Sequence, residues 1–190
     1  MTMRKLASIA VLVVLVVAAA CADSSRLAYG DVNSIIAVMS PELWDEVGEE
    51  VYDALEPTIQ TVRSEKTFTV TYQDPNSEEW GNLRRFRQLL LVGSGDEPWM
   101  EDALERTEEE VAGPGMYRAY DVWASGQQAT IVLTPEGAAV DEVRRHLAEI
   151  NEILDTQYRS YARNRMYMSG ADTALADTLM RTARFHLMVP

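Results

Sequence analysis

From Pro135 onward the sequence keeps a helical period for about thirty residues, with Val140, Val143, Leu147, Ile150, Ile153 and Leu154 on one stripe. This is the longest element the chain can form, and it needs an apolar surface to cover. That surface is supplied by short apolar runs upstream. Ser34 to Met39 is rich in Ile and Val, and Gln88 to Val92 holds three consecutive Leu residues, closed by Gly93-Ser94-Gly95. Thr67 to Tyr72 alternates Phe68, Val70 and Tyr72 with Thr, the period of a half-buried strand. Tyr117 to Ala124 and Ala129 to Thr134 are strands separated by four turn-forming residues, short enough for a hairpin.

Helices interleave with these strands. Ser40-Pro41-Glu42 supplies an N-cap, a Pro at the first helical position and an acid at the positive end of the helix dipole, and Leu43, Trp44, Val47, Val51 and Leu55 follow at helical spacing until Pro57. Further helices are expected over Glu79 to Arg87, Pro98 to Val111 and Ala171 to Arg184, with a last strand at Phe185 to Val189. The order lacks the regular alternation of a doubly wound sheet. The expected class is α+β, a largely antiparallel sheet with helices packed on one face, preceded by a cleavable signal helix.

The 190 residues, 47% of them hydrophobic, suit a single domain over 34–190 and exclude disorder as the main state. Ending at Met188-Val189-Pro190 directly after an apolar run, the chain reads either as a domain that stops there or as a fragment of a longer protein. The 30 acidic against 17 basic residues give a net charge of -13, which repels phosphate backbones and argues against nucleic acid as a partner.

Residues 1–20 read as a signal peptide: Arg4 and Lys5 precede an apolar run from Leu6 to Ala20. Ala18-Ala19-Ala20 stands before Cys21, the only cysteine, as in a bacterial lipobox, although Leu is usual where Ala18 stands. Cys21 is therefore the expected lipid-attachment residue, and residues 21–33 the lipidated tether; an ordinary cleavage site with a free thiol is the alternative. Two or more acyl chains make such attachment stable. Ala22, rather than Asp, follows Cys21, which points to an outer-membrane lipoprotein, periplasm-facing or surface-exposed. Removing residues 1–20 takes away Arg4 and Lys5 and no acid, so the mature chain carries 15 basic and 30 acidic residues and is repelled by anionic lipid.

Chemistry-bearing residues are sparse. Gly93-Ser94-Gly95 sits between a strand and a helix, but Asp96 and Glu97 oppose an anion there, so it reads as a turn. His146 lies four residues after Glu142 and three before Glu149, which places an imidazole between two carboxylates on one helical face. An envelope hydrolase or metal-dependent enzyme using these carboxylates is one alternative reading, although zinc usually takes more ligands than this set offers. Glu101, Asp102, Glu105 and Glu108-Glu109-Glu110 form an acidic helix face of the solvated kind. No catalytic, metal or cofactor set is assigned.

Two cationic clusters stand out on this acidic chain: Arg84, Arg85 and Arg87, and Arg159, Arg163 and Arg165 interleaved with Tyr158, Tyr161 and Tyr167. Arg and Tyr are enriched at interfaces, so Arg159, Arg163, Arg165, Tyr158 and Tyr161, with Trp123 as a platform near the hairpin, form the candidate interaction face. The expected partners are the membrane, through the anchor, and an envelope protein or a small, anionic ligand. The leading functional expectation is a non-enzymatic binding module of the cell envelope. A structural or assembly factor using the Tyr/Arg face is the third reading.

The strand Ile35 to Met39 with Ser40-Pro41-Glu42-Leu43-Trp44, the Asp121-Val122-Trp123-Ala124 stretch, Gln127 or Gln128, the Arg163 to Arg165 region and the closing Val189-Pro190 resemble an uncharacterised bacterial lipoprotein family, the domain of unknown function 4837. The resemblance covers about residues 28–190. It implies a lipid-anchored envelope protein of the Bacteroidetes type, carries over no catalytic residue, and favours the fragment reading, since members of that family continue beyond the final Pro.

Overall fold

The computed structural model describes residues 26–166, except 61, 63 and 136, and residues 172–184. The signal peptide, Cys21, Tyr167 and the strand expected at Phe185 to Val189 lie outside the described residues. Seven strands are described: β1 (Ser34–Val38), β2 (Thr58–Gln60), β3 (Ser64–Lys66), β4 (Thr69–Gln73), β5 (Gln88–Gly93), β6 (Gly115–Tyr120) and β7 (Gln128–Leu133). Five helices accompany them: α1 (Pro41–Leu55), α2 (Trp80–Leu83), α3 (Pro98–Leu104), α4 (Ala139–Met166) and α5 (Thr173–Ala183).

The main sheet has five strands in the order β4-β1-β5-β7-β6. β4, β1, β5 and β7 are mutually parallel, and only the edge strand β6 runs antiparallel, paired with β7 in the expected hairpin. The expectation of a largely antiparallel sheet is thus corrected: the α+β fold is built on a mixed, mostly parallel sheet. The physical signal lies in the strands themselves. Strands covered on both faces read as unbroken apolar runs, and Ile35, Ile36, Ala37 and Val38, like Leu89, Leu90, Leu91 and Val92, are all buried.

Helices on one face is also corrected, because each face has its own core. On one side α1 and α4 cover Ile35, Ala37, Leu90, Val92 and Val132 with Val47, Val51, Val143, Ile150 and Leu154. On the other, Trp80 of α2 and Met100 and Ala103 of α3 cover Ile36, Val38, Leu89, Leu91 and Ile131. Neighbouring residues of one strand therefore feed opposite cores, as the two-residue period of a strand requires.

Local signals behave as read in α1: Ser40 accepts a hydrogen bond from the Leu43 amide at 3.3 Å, with Pro41 following it. α2 and α3 are shorter than their sequence patterns, and α3 stops at Leu104, well before Val111. A separate antiparallel hairpin, β2 with β3, was not foreseen: its residues Thr58–Gln60 and Ser64–Lys66 are all exposed and carry no apolar alternation. Glu56 fastens this arm. It caps the end of α1, and its nearly buried carboxylate accepts from the Val70 amide at 2.6 Å and pairs with Lys66 of β3.

Residues 26–30, within the stretch expected as a tether, are stitched to the domain. Ala28 donates to the Ser125 carbonyl at 2.9 Å, Ser125 donates to Arg26 at 2.9 Å, and Arg87 donates to Tyr29 at 2.8 Å. Gly30 has φ of +90°, and a Cβ there would overlap the Phe86 ring, so this position requires glycine on both counts.

Leu90 is fully buried at the centre of β5, so Leu90→Ala is expected to destabilise the protein by about 2–5 kcal/mol in urea unfolding with an unchanged slope. Burial raises the Glu56 pKa, but the Lys66 hydrogen bond and the Val70 amide outweigh it and leave the carboxyl below its ordinary range. A depressed folded-state pKa stabilises above the unfolded value and stops stabilising as pH falls through the folded one. Acid unfolding should therefore show a contribution, over the pH range beneath the ordinary glutamate pKa, that Glu56→Gln removes; identical acid profiles for the two proteins would contradict this.

Candidate functional site

α4 sets the geometry. Its 28 residues span about 42 Å, whereas a six-residue strand spans about 20 Å. Leaving β7 at the carboxyl end of the sheet, the helix crosses one face and overruns the amino ends of β1 and β5. Between its last turns and the loop Gly30 to Asn33 lies an open groove of about 750 Å³. Tyr158, Tyr161, Ala162 and Arg165 face it from α4 at helical spacing, and Arg87 faces it from the start of β5.

One arginine from each of two clusters far apart in the sequence thus reaches the same groove. Arg87 is half-buried, its Nε donating to the Gly30 carbonyl at 3.2 Å, and Arg165 lies 3.5 Å from the Tyr161 hydroxyl as donor. Among the described residues, neither guanidinium has a carboxylate within ion-pair distance, while Asp31 also lines the groove. Tyr158 anchors the helix edge-on against Phe68, with ring centres 6.0 Å apart, and Tyr161 stays 37% exposed.

Beside the groove lies a small pocket of about 60 Å³ that shares Val32, Arg87 and Tyr161 with it and is also lined by Gln88 and Gln157. Gln88, at the first position of β5, donates to Gln157 of α4 at 3.2 Å, and its buried Oε1 has no hydrogen-bond partner. A buried unpartnered acceptor is costly, so this atom favours a donor, from water or a ligand, in the pocket.

Other candidate residues fall elsewhere. Arg159 pairs with Asp155 at 2.7 Å, and neither it nor Arg163 lines the groove. Trp123 is on the opposite face of the sheet, packed edge-on against Trp80 at 5.2 Å and donating its indole N–H to Asp102 at 3.2 Å. The structure separates it from the Tyr/Arg face. Arg85 stacks over Tyr29 at 5.9 Å, and the Arg84 carbonyl accepts from Gln127.

Gln127 is the residue whose role the sequence hid. Its buried amide donates to the Arg84 and Phe86 carbonyls, both at 2.7 Å, and accepts from the Trp123 amide at 3.0 Å. One side chain thereby locks the segment that delivers Arg87. The sequence signals only a short hairpin connection at Ser125-Gly126-Gln127-Gln128.

His146 contacts Glu142 at 3.0 Å through Nε2 and Glu149 at 3.2 Å through Nδ1, and Arg145 also binds Glu142 at 2.5 Å. The three expected residues do meet, yet they satisfy one another along a single helix and line none of the cavities described above. Among the described residues no group of three His, Cys, Asp or Glu is arranged to hold a metal ion. No described helix is long and apolar enough to cross a membrane.

Comparison with known proteins corrects the family. Residues 28–167 match the profile of a domain of unknown function, DUF8532, which overturns the resemblance to the domain of unknown function 4837. The motifs behind that resemblance are a strand feeding a Pro-started helix and an aromatic hairpin, features of fold-level packing that unrelated sequences share. No curated protein and no solved structure matches the chain. Because the matched region is well over half of its length, the chain belongs to the DUF8532 family.

Proposed function

We propose that this protein is a non-enzymatic binding module of the cell envelope, tethered through Cys21 and taking up an organic anion in the groove beneath α4. One observation carries the reading: Arg87 and Arg165, brought together from two distant segments, face one groove beside Tyr158 and Tyr161 without an ion-pair partner among the described residues. On a chain with a net charge of -13, two guanidiniums converging on one concavity make a local concentration of positive charge. Guanidinium forks recognise carboxylate and phosphate, and tyrosine rings supply a rigid apolar wall for the remainder of the ligand. The volume suits a small molecule.

The tether is supported by the order of residues at the amino end: positive charges, an apolar run, small residues and then Cys21. Such a tether would hold the module at a membrane through acyl chains.

Phenyl phosphate is a suitable probe by calorimetry. Binding is expected to weaken about tenfold or more in Arg87→Gln and in Arg165→Gln, the loss of a charge-assisted bond, and to weaken with added salt. Phenol, lacking the charge, should bind measurably worse. Unchanged affinity in both variants would sink the anion reading. Intact mass of membrane-extracted protein, compared with Cys21→Ala, tests the tether separately: a lipid increment should be present in the first and absent from the second.

A further inference from the structure

Independently of the groove, the opposite end of the sheet holds a second concavity. A crevice of about 440 Å³ lies at the carboxyl ends of β1, β5 and β7, lined by Ser40, Leu43, Gly93, Ser94, Glu97 and Thr134 among others. Its place in the topology is informative. β1 leads into α1 on one face, and β5 leads into α3 on the other, so the chain reverses its direction of winding between these adjacent strands. In open, largely parallel sheets, ligands bind in the crevice outside the strand carboxyl ends at that switch point.

The side chains define which ligand fits. Glu97 stands at the N-cap position of α3 but makes no side-chain capping bond. Its carboxylate turns back over Gly93, where a Cβ would overlap it. Burial raises its pKa and repulsion from Asp96 adds to the rise, against hydrogen bonds from the Ser94 amide and Trp99. The Ser94 hydroxyl bond holds Asp96 in the opposite direction, below its ordinary value.

Thr134 is only 6% exposed, lines the crevice, and has no hydrogen bond to its hydroxyl among the described residues. The β1–α1 side contributes Ser40 and Leu43, and the β7–α4 side contributes Thr134, Pro135, Gly137 and Ala139. Asp96 and Glu97 are therefore the titratable groups among the described lining residues, and no cation is among them. The positive partial charge of the helix starts nearby is offset by acidic side chains, Glu42 in the first turn of α1 and Asp141 and Glu142 in that of α4.

We propose that this crevice binds a small organic cation, its ammonium group seated among Glu97, Asp96 and the Thr134 hydroxyl and its apolar body against Leu43, Val92 and Ala139. Two carboxylates compensate the charge, and the Thr134 hydroxyl, without a hydrogen bond among the described residues, accepts an ammonium N–H. The acidic loop that rules out a phosphate at Gly93-Ser94-Gly95 is what selects a cation. Because a protonated Glu97 cannot pair with ammonium, affinity falls on acidification while Asp96 remains ionised.

Amide NMR titration of the full chain with butylammonium tests this, with 1-butanol and butyrate as matched neutral and anionic probes. The Gly93, Ser94 and Thr134 amides are expected to shift saturably with butylammonium alone. Glu97→Gln should weaken binding tenfold or more, Thr134→Val several-fold, and Arg163→Gln, outside both cavities, should leave it unchanged. An equal response to butanol or butyrate, no saturable shift, or undiminished binding in both crevice variants would overturn the proposal. If Glu97→Gln does not fold, Thr134→Val and the pH dependence of the unaltered protein decide, and a pH-independent affinity overturns it.

Discussion

The structure depends on the parallel pairing of β1 with β5, in register from Ile35 opposite Gln88 to Val38 opposite Leu91. These two strands are the inner pair between α1 and α4 on one face and α2 and α3 on the other, and their apolar residues alternate between the two cores. Hydrophobic burial on both faces at once compensates the conformational entropy of ordering strands that are distant in sequence. Such pairing can only be made by crossover connections, so it dictates where the helices lie. Remove the pair, and neither face has a floor.

Both concavities follow from that arrangement. At the carboxyl ends, chains leaving β1 and β5 diverge to opposite faces and leave a crevice between them. At the amino ends, a helix about twice as long as the strands beneath it projects past the sheet and roofs a groove. The two differ in sign. Arg87 and Arg165 face the groove, whereas Asp96 and Glu97 line the crevice, so the domain separates charge along the sheet direction despite its overall acidity.

Polar side chains fix the loops on which these sites stand. Gln127 closes three backbone hydrogen bonds at one buried position, and Gln88 joins β5 to α4 through Gln157. Glu56 does comparable work at the arm, tying the end of α1 to β3 and β4. Gln127 and Glu56 bond the backbone of another segment, and Gln88 bonds the side chain of one, so polar contacts fix register where apolar packing alone would permit sliding.

The sequence by itself determined the local features: Ser40-Pro41-Glu42 starting α1, the apolar strand runs, the β6–β7 hairpin and the long stripe of α4. Each rests on interactions among residues close in the chain, which propensity, capping and periodicity encode. The unbroken apolar runs of β1 and β5 also carried the sign of a doubly covered parallel sheet. The mostly polar strands of the β2–β3 arm carried no sign at all, because exposed strands need no alternation. Tyr158, Tyr161 and Arg165 were legible as one helical face, and Arg87 as part of a second cluster. Only the tertiary structure decided that Arg87 joins them, that Arg159, Arg163 and Trp123 do not, and that Gly93, Glu97 and Thr134 share a crevice. Those outcomes depend on strand order, and strand order is set by the packing of whole faces, which no short stretch of sequence contains.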